Sequence, residues 1–203
     1  LIINNSNGVS LGATTSISGN LALTSGNFTT GSYNFTATGN VTGAGTLAIG
    51  TGTVDVNGTY NVTGATTFNG AGTLQLSGTV TTVGTLTAGT GTVAYDGASQ
   101  TIEGQIYYNL TTSGTGTKTL SGDSTVNNTL TIDGDVTLDV DGGDPLNVKN
   151  LTVTNGTMDV SGLNANLLVS GNLAIGASGV WIKHASPDYC VEFTGAACTF
   201  TDQ

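Results

Sequence analysis

The fold is decided by one stretch, residues 107–122, which reads YYNLTTSGTGTKTLSG. In this stretch an asparagine precedes an alternation of leucine and threonine, which serine and glycine close. A variant, NLTVTNGTMDVSG, begins at Asn150. Shorter echoes begin at Asn20, Asn40, Asn61, Asn128 and Asn172. The units recur about every 19 to 22 residues, with one double step from position 61 to position 109, and such a fixed period predicts stacked structural repeats.

Short β-strands are predicted along most of the chain. Runs of about four residues place Val, Leu or Ile at alternate positions with Thr and are bounded by Gly or Asn, which is typical of strands closed by tight turns. The predicted strands include residues 21–24, Thr46–Ile49, Thr53–Val56, Thr73–Leu76, Thr92–Tyr95 and 130–132. No window of about 12 residues carries a clean helical apolar stripe, so helices are not expected. The predicted class is all-β.

The period indicates how these strands are arranged. Coils of about 20 residues, each with two or three strands, would pair in parallel with the coils above and below and form a β-solenoid over residues 1–180. Equivalent residues then stack, so Asn109, Asn128 and Asn150 are predicted to form a ladder of side-chain amides, and Leu110 to lie in an apolar column. The structural alternative is an antiparallel β-sandwich, a pilin-like subunit whose N-terminal strand completes a neighbour's sheet.

The charge balance argues against several classes of partner. The chain has three lysines, no arginine and 13 acidic residues, for a net charge of −10. Because phosphate binding needs cationic side chains, nucleic acid is not an expected partner, and an anionic membrane surface would repel the chain. No apolar run reaches about 18 residues, so insertion into a membrane is not expected. The start at Leu1 instead of Met is interpreted as processing and favours a secreted protein.

Three motifs connect the repeats to a known class of proteins: YNLT at residues 108–111, GTKTLSG at 116–122 and GTVDVNG at 52–58. They resemble the β-strand repeats of large secreted bacterial surface proteins, which include autotransporter passenger domains and filamentous-haemagglutinin-like adhesins. The resemblance covers about residues 18–175. It implies a right-handed parallel β-helix, an extracellular location and a role in adhesion or assembly. Such proteins are usually far longer and carry secretion or anchoring domains, so a short repeat block suggests a polymerising subunit or a fragment.

The two ends of the chain are the predicted association sites. The open hydrogen-bond ladder of a terminal coil recruits another chain unless something covers it. Residues 181–203 differ in composition from the repeats and begin with the only tryptophan, Trp181, so they are predicted to form a C-terminal cap or docking segment. The other end starts with Leu1, Ile2 and Ile3 and has no polar covering element. These four residues are the predicted assembly residues, and head-to-tail contact between them would propagate a filament.

Cys190 and Cys198 are the only cysteines. The preferred interpretation is a disulfide across a short hairpin that turns at Thr194 and Gly195, because secreted proteins keep disulfides. The alternative is a pair of buried free thiols. A zinc site is not expected, since the only histidine, His184, would leave the ligand set one short.

An acidic cluster in the second half of the chain is a candidate calcium site. It consists of Asp133, Asp135, Asp139, Asp141 and Asp144. Oxygen ligands at this density suit Ca²⁺, although the bidentate Glu and the flanking helices of an EF-hand are missing. The alternative, which the sequence favours, is a solvated strand face. Apart from calcium, no cofactor is expected.

Ten Asn-x-Ser/Thr sequons are candidate N-glycosylation sites. They begin at Asn4, Asn27, Asn34, Asn40, Asn57, Asn61, Asn109, Asn127, Asn150 and Asn155. Because Thr and Ser are so frequent, about six would arise by chance. Sugar on some of them would help to keep a weakly charged surface soluble, whereas an asparagine that faces the interior could not be modified.

Catalysis is not expected. A polysaccharide-degrading β-helix needs paired carboxylates in a groove lined with aromatic and cationic side chains, whereas this chain has no arginine and its aromatic residues are scattered. An ice-binding module is a further alternative, because Thr-x-Thr pairs such as Thr85/Thr87 and Thr117/Thr119 would order water if they aligned on one face. Threonine is, however, frequent in any strand.

The sequence therefore predicts a secreted, non-enzymatic β-solenoid whose partner is another copy of itself. Head-to-tail self-assembly would build an extracellular filament or surface fibre. The functional alternative is an adhesin fragment that binds a host or surface glycan.

Overall fold

The structure is a computed structural model that describes residues 1–140, 145–162, 167–183, 191–195 and 200–202. For residues 200–202 it describes the backbone alone. The chain divides into two compact units, Leu1–Ala94 and Tyr95–Gln203. No helix occurs in the described ranges, and their strands pair in parallel at about 20 residues per coil, with about nine turns in all. The predicted all-β solenoid is therefore confirmed and the antiparallel sandwich is wrong. The right-handed winding stays a prediction.

The first unit has three strands in each coil. Each strand pairs with the strand three places further along the chain, which produces three parallel sheets. Sheet A contains β1 (Ile2–Asn4), β4 (Leu21–Ser25), β7 (Val41–Gly43), β10 (Tyr60–Val62) and β13 (Val80–Thr82). Sheet B contains β2 (Val9–Ser10), β5 (Asn27–Gly31), β8 (Thr46–Ile49), β11 (Ala65–Phe68) and β14 (Thr85–Thr87). Sheet C contains β3 (Thr15–Ile17), β6 (Phe35–Ala37), β9 (Thr53–Val56), β12 (Thr73–Leu76) and β15 (Thr92–Tyr95), which crosses the boundary between the units.

The registers in sheet A give the length of a coil. Leu21 pairs with Val41, Val41 with Tyr60, and Tyr60 with Val80, so equivalent residues are 20, 19 and 20 positions apart. Because successive side chains of a strand point to opposite faces, these apolar residues face the interior and the Thr and Asn residues between them face outward. The coil length varies by one residue, and the strand pairing keeps inward residues aligned with inward residues from one coil to the next.

The core of the first unit contains a polar network within its apolar packing. The hydroxyl oxygens of Tyr60 and Thr66 are 2.7 Å apart, and the Thr66 hydroxyl donates to the carbonyl oxygen of Val83 at 2.7 Å. Both side chains are fully buried. Burying a hydroxyl is costly unless it is hydrogen-bonded, and here each hydroxyl has a partner.

The second unit alternates short strands with long ones. Sheet D contains β17 (Ile106–Thr112), β19 (Ser124–Ile132) and β21 (Leu146–Val153), and β21 then pairs with both β23 (Leu167–Val169) and β24 (Leu173–Ile175). These last two strands pair in turn with β26 (Val191–Phe193) and β27 (Phe200–Asp202). Sheet E contains β16 (Gln100–Ile102), β18 (Thr115–Leu120), β20 (Asp135–Asp139), β22 (Thr157–Asp159) and β25 (Val180–Ile182).

A leucine column runs through sheet D. Leu110 pairs with Leu130, Leu130 with Leu151, and Leu151 with Leu173, at spacings of 20, 21 and 22 residues. The first three side chains are fully buried and the fourth is 3% exposed. The prediction that Leu110 lies in an apolar column is confirmed. Burial of a leucine side chain contributes about 2 kcal/mol, so this column is a main source of stability in the unit.

Side-chain amides connect successive coils of the second unit, as predicted. Nδ2 of Asn128 donates to Oδ1 of Asn109 at 2.8 Å, and Nδ2 of Asn150 donates to the backbone oxygen of Asn128 at 3.0 Å. The predicted ladder is confirmed in part: Asn109 and Asn128 are linked through their amides, whereas Asn150 joins through the backbone, and the residue in register with Asn109 and Asn150 is Thr129. Asn172 extends it, because its backbone N–H donates to Oδ1 of Asn150 at 3.1 Å. The amide of Asn150 thus satisfies backbone groups of Asn128 and Asn172 beside a β-bulge and a turn, where the strand ladder is interrupted.

The corresponding ladder of the first unit includes Asn20, Asn40 and Thr59, and it leaves out Asn61. Oδ1 of Asn20 accepts the backbone N–H of Asn40, and Oδ1 of Asn40 accepts that of Thr59, both at 2.8 Å. Asn61 pairs instead with Thr42 and lies within β10, two positions out of phase. Placing Asn61 in the series is therefore wrong, although the same tetrapeptide, NVTG, begins at both Asn40 and Asn61.

Candidate functional site

Exposed apolar side chains concentrate on the first and last strands of the described structure. Eight large apolar side chains are strongly exposed among the described residues. Those of the first coil are Leu1, Ile2 and Val9, and those of the last strands are Val180, Ile182 and Phe193. The other two are Tyr33 and Ile106. Large apolar side chains that cluster on a sheet edge mark a surface suited to association.

Strand β1 forms one edge of sheet A and has a paired neighbour, β4, on one side. Ile2 pairs with Ala22 and is 70% exposed, whereas Ile3 pairs with Leu23 and is 2% exposed. Of the predicted assembly residues at this end, Leu1 and Ile2 are therefore on the surface and Ile3 is in the core. The unpaired side of β1 offers backbone N–H and C=O groups to a further strand.

Strand β25 forms one edge of sheet E in the second unit. Trp181 pairs with Met158 on the inward-facing side and is half-buried. Val180 and Ile182 face outward, with 48% and 41% exposure, and were missed by the sequence analysis. The sequence indicated their exposure by the uninterrupted apolar run VWI. The preceding strand of this sheet has Thr and Asp at the two outward positions that Val180 and Ile182 occupy in β25.

The cap predicted for residues 181–203 stays a prediction. The first strand of the predicted hairpin corresponds to β26, which pairs in parallel with β23, while residues 196 and 197 of its second strand lie outside the described residues. Cys190 and Cys198, with the disulfide predicted between them, and His184 lie outside the described residues.

The acidic cluster is spread over a turn and a strand. Oδ1 of Asp133 accepts a hydrogen bond from Nδ2 of Asn155 at 2.8 Å, while Asp135 and Asp139 lie at the two ends of β20. Asp141 and Asp144 lie outside the described residues. Within the described part of the chain, no three His, Cys, Asp or Glu side chains are grouped so that they could hold a metal ion. The calcium site stays a prediction.

None of the ten predicted glycosylation asparagines is buried. Asn4, Asn27, Asn34, Asn40, Asn57, Asn127 and Asn155 are exposed, and Asn61, Asn109 and Asn150 are half-buried. The amide nitrogen, which would carry the sugar, donates a hydrogen bond to the protein at Asn150 and Asn155. Glycosylation stays a prediction for all ten.

Threonine columns align on the outside of both units. In sheet B, one outward column contains Asn27, Thr46, Ala65 and Thr85. The next contains Ser10, Thr29, Thr67 and Thr87 and is interrupted by the buried Ala48. In the second unit, Thr111, Thr131 and Thr152 align in sheet D, and Thr117, Thr137 and Thr157 align in sheet E. The two columns of sheet B consist entirely of small uncharged side chains.

Lys118 is fully buried, which the sequence analysis missed. Its Nζ donates to three backbone oxygens, those of Gly97 at 2.6 Å, Ala98, and Thr115 at 3.3 Å. Burial lowers the pKa of the Lys118 ammonium, and Asp96 acts in the opposite direction. Its burial could have been predicted from its position, because Lys118 occupies an inward position in the alternation of β18. Three acceptors match the three donors of an ammonium, so the geometry fits a structural role.

Two buried tyrosines lie in the second unit. The hydroxyls of Tyr95 and Tyr107 are 3.3 Å apart, and the Tyr107 hydroxyl donates to the carbonyl oxygen of Glu103 at 2.6 Å. Burial raises the pKa of Tyr95 to about 12 and that of Tyr107 well above its usual value. Both phenols are therefore neutral donors at neutral pH.

Within the described residues, no helix is long and apolar enough to cross a membrane. Comparisons with protein-family models, curated proteins and solved structures found no match to this chain. Function must therefore be argued from the surfaces of the molecule.

Proposed function

We propose that this protein is an extracellular structural module that associates head to tail, with the first coil of one copy pairing with the last strands of the next. One observation carries the proposal. Six of the eight strongly exposed large apolar side chains lie on or beside the strands β1, β2, β25 and β26. The extracellular location is part of the proposal, and the resemblance of the repeats supports it.

Both edges have the chemistry that parallel coil stacking requires. Strand β1 alternates an exposed Ile2 with a buried Ile3, and β25 places Trp181 between two exposed apolar side chains. Pairing such edges adds backbone hydrogen bonds and continues the apolar columns across the contact. Because the contact joins two different surfaces, each copy keeps one free edge, and repetition builds a linear fibre unless the chain of copies closes on itself.

A lysine at Ile2 is expected to abolish association. The charge would have to be desolvated at the contact, and natural sheet edges use lysine for this purpose. The matched control is Ile106→Lys, since Ile106 is 61% exposed but lies away from the proposed contact. In sedimentation velocity and electron microscopy we expect fibres for the native chain and for Ile106→Lys, and monomers of 20.1 kDa for Ile2→Lys.

Two outcomes would contradict the proposal. The native chain would remain monomeric at high concentration, or Ile106→Lys would disrupt the fibres as fully as Ile2→Lys. Monomeric native protein would favour the adhesin alternative.

A second candidate function, ice binding, is favoured by the aligned small side chains of sheet B. Its two outward columns repeat at the strand spacing of about 4.8 Å and carry hydroxyl and methyl groups with no charge. Such a regular surface would order water if the candidate function is correct.

Inhibition of ice recrystallisation is the expected activity of this face. Thr67→Lys would interrupt the columns and is expected to abolish inhibition, whereas Thr137→Lys, on sheet E, would leave it unchanged. An inactive native chain would eliminate this candidate, as would equal loss in the two variants.

A further inference from the structure

An open groove of about 220 Å³ lies on the outer face of sheet D. Its lining includes Thr125, Asn127, Asn147, Lys149, Leu168 and Ser170, all in the second unit. One water needs about 10–15 Å³ of such space, so the groove has room for several waters that a polar ligand would displace. Val126 and Val148 also line the groove, but their side chains lie in the core, so the outward polar residues on either side of them determine its chemistry.

A β-bulge orients the polar side chains of this groove. The register of β19 and β21 shifts between Val126 and Thr129, so that Asn127 and Asn128 together lie opposite Lys149. Asn128 is held in the asparagine ladder, whereas Asn127 is exposed in the groove. Bulges commonly re-aim a side chain in this way beside functional sites.

Three side chains in the groove have no partner among the described residues. The amides of Asn127 and Asn147 and the ammonium of Lys149 make no hydrogen bond or ion pair with another described residue. Together they offer amide donors, carbonyl acceptors and one cation. Elsewhere in this unit the amides of Asn109, Asn128 and Asn150 are used within the fold.

We propose that this groove binds an acidic oligosaccharide, with a sugar carboxylate on Lys149 and sugar hydroxyls on Asn127 and Asn147. Sugar hydroxyls both donate and accept, so amides and hydroxyls match them, and an ammonium forms charge-assisted hydrogen bonds with a carboxylate. None of the described lining residues is aromatic, so ring stacking is not available to hold a neutral sugar.

The charged residues around the groove favour one orientation of the bound sugar. Glu192 pairs with the groove residue Leu168 and is exposed on the neighbouring strand β26, so a negative charge lies on the β26 side of the groove. A sugar carboxylate would therefore be directed toward Lys149, away from Glu192. The groove holds one of the three lysines of a chain whose net charge is −10, so a long polyanion such as nucleic acid would be repelled, and a short acidic oligosaccharide is the better fit.

The test is a titration of the full chain with a galacturonate trimer, followed by nuclear magnetic resonance. The protein is produced without N-glycosylation, because Asn127 is also a candidate sugar acceptor. We expect saturable shifts at the groove residues and an affinity about fivefold or more lower in Lys149→Gln, since one charge-assisted hydrogen bond is lost. Lys183→Gln removes the same charge from an exposed lysine outside the groove and is expected to bind as the native chain does.

The neutral galactose trimer is the second control and is expected to bind far more weakly. The proposal is overturned if the native chain does not bind the acidic trimer saturably, or if the neutral trimer binds equally well. It is also overturned if both lysine variants lose the same affinity, because that result would indicate general charge attraction. The two proposals can still fail separately. The groove reaches Thr194, next to Phe193 of β26, but Asn127, Asn147 and Lys149 lie on β19 and β21, and fibre assembly is measured independently by sedimentation.

Discussion

Replacing Leu130 with alanine is expected to destabilise the second unit by about 3 kcal/mol. Leu130 is fully buried in the middle of a leucine column and pairs on both sides, with Leu110 and Leu151. The substitution removes apolar contacts and leaves a cavity between two coils. The backbone ladders hold those coils in place, so the cavity cannot collapse easily.

The matched control is Thr131→Ala, at the next position of the same strand. Thr131 faces outward and is half-buried, so its replacement is expected to cost less than about 1 kcal/mol. Urea unfolding of the two variants and the native chain measures both effects. Equal losses for Leu130→Ala and Thr131→Ala would contradict the inward and outward assignment of β19.

The second large effect is a loss of stability at alkaline pH, caused by the buried tyrosines. The pKa of Tyr95 is about 12 in the folded chain and about 10 when the side chain is exposed to solvent. A group whose pKa is raised by folding stabilises the fold below its unfolded pKa, and this stabilisation is lost as the pH rises through the folded value. Two pKa units correspond to roughly 3 kcal/mol, lost between about pH 10 and about pH 12.

Tyr95→Phe is expected to reduce this alkaline loss, because phenylalanine cannot ionise. The loss is not eliminated, since the pKa of Tyr107 is also raised by burial. At neutral pH the variant loses the hydrogen bond between the two phenols, at a cost of about 1 kcal/mol. Tyr33, which is 38% exposed, provides the control Tyr33→Phe.

Urea unfolding from about pH 9 to about pH 11.5 measures the slopes. The prediction fails if Tyr95→Phe follows the native curve, or if Tyr33→Phe flattens the curve as much. Lys118 has the opposite effect on the pH dependence of stability, at lower pH. Its pKa is lowered by burial, so stability rises with pH from that lowered value up to about 10.5, the value in the unfolded chain.

The strand positions were predictable because the apolar alternation and the flanking turn residues indicate the same strand bounds. The predicted bounds match the structure at Thr46–Ile49, Thr53–Val56, Thr73–Leu76 and Thr92–Tyr95. In these strands buried apolar residues alternate with partly exposed ones, apart from the small buried Ala48 and Ala94, and turn residues flank each strand. The fixed period then implied stacking, because strands that recur every 20 residues can pair in parallel.

Register was harder to predict than strand position. Asn61 begins the same tetrapeptide as Asn40 but pairs with Thr42, because the inward apolar residue Tyr60 aligns with Val41. Packing of the interior therefore sets the register, and repeated sequence does not. Lys118 shows the same effect, since it occupies an inward position that its residue type does not suggest.

The association surface was only partly predictable. The exposed apolar run at one end, Leu1 and Ile2, is visible in sequence. In the last strands the run VWI indicates that some apolar residue is exposed, but which of its residues face outward follows from pairing with β22. Long-range pairing thus decides which apolar residues remain on the surface.

The proposed head-to-tail contact predicts a specific result when two blocked variants are mixed. Ile2→Lys blocks the first coil and leaves the last strands free, whereas Ile182→Lys does the reverse. Each variant alone is therefore expected to be a monomer of 20.1 kDa. In an equimolar mixture the free first coil of one meets the free last strands of the other, so a dimer forms and cannot extend.

Sedimentation equilibrium of the two variants and of their mixture tests this claim most directly. The account predicts monomers from either variant alone and a dimer of about twice the monomer mass from the mixture. A mixture that remains monomeric, or single variants that still assemble as the native chain does, would contradict it.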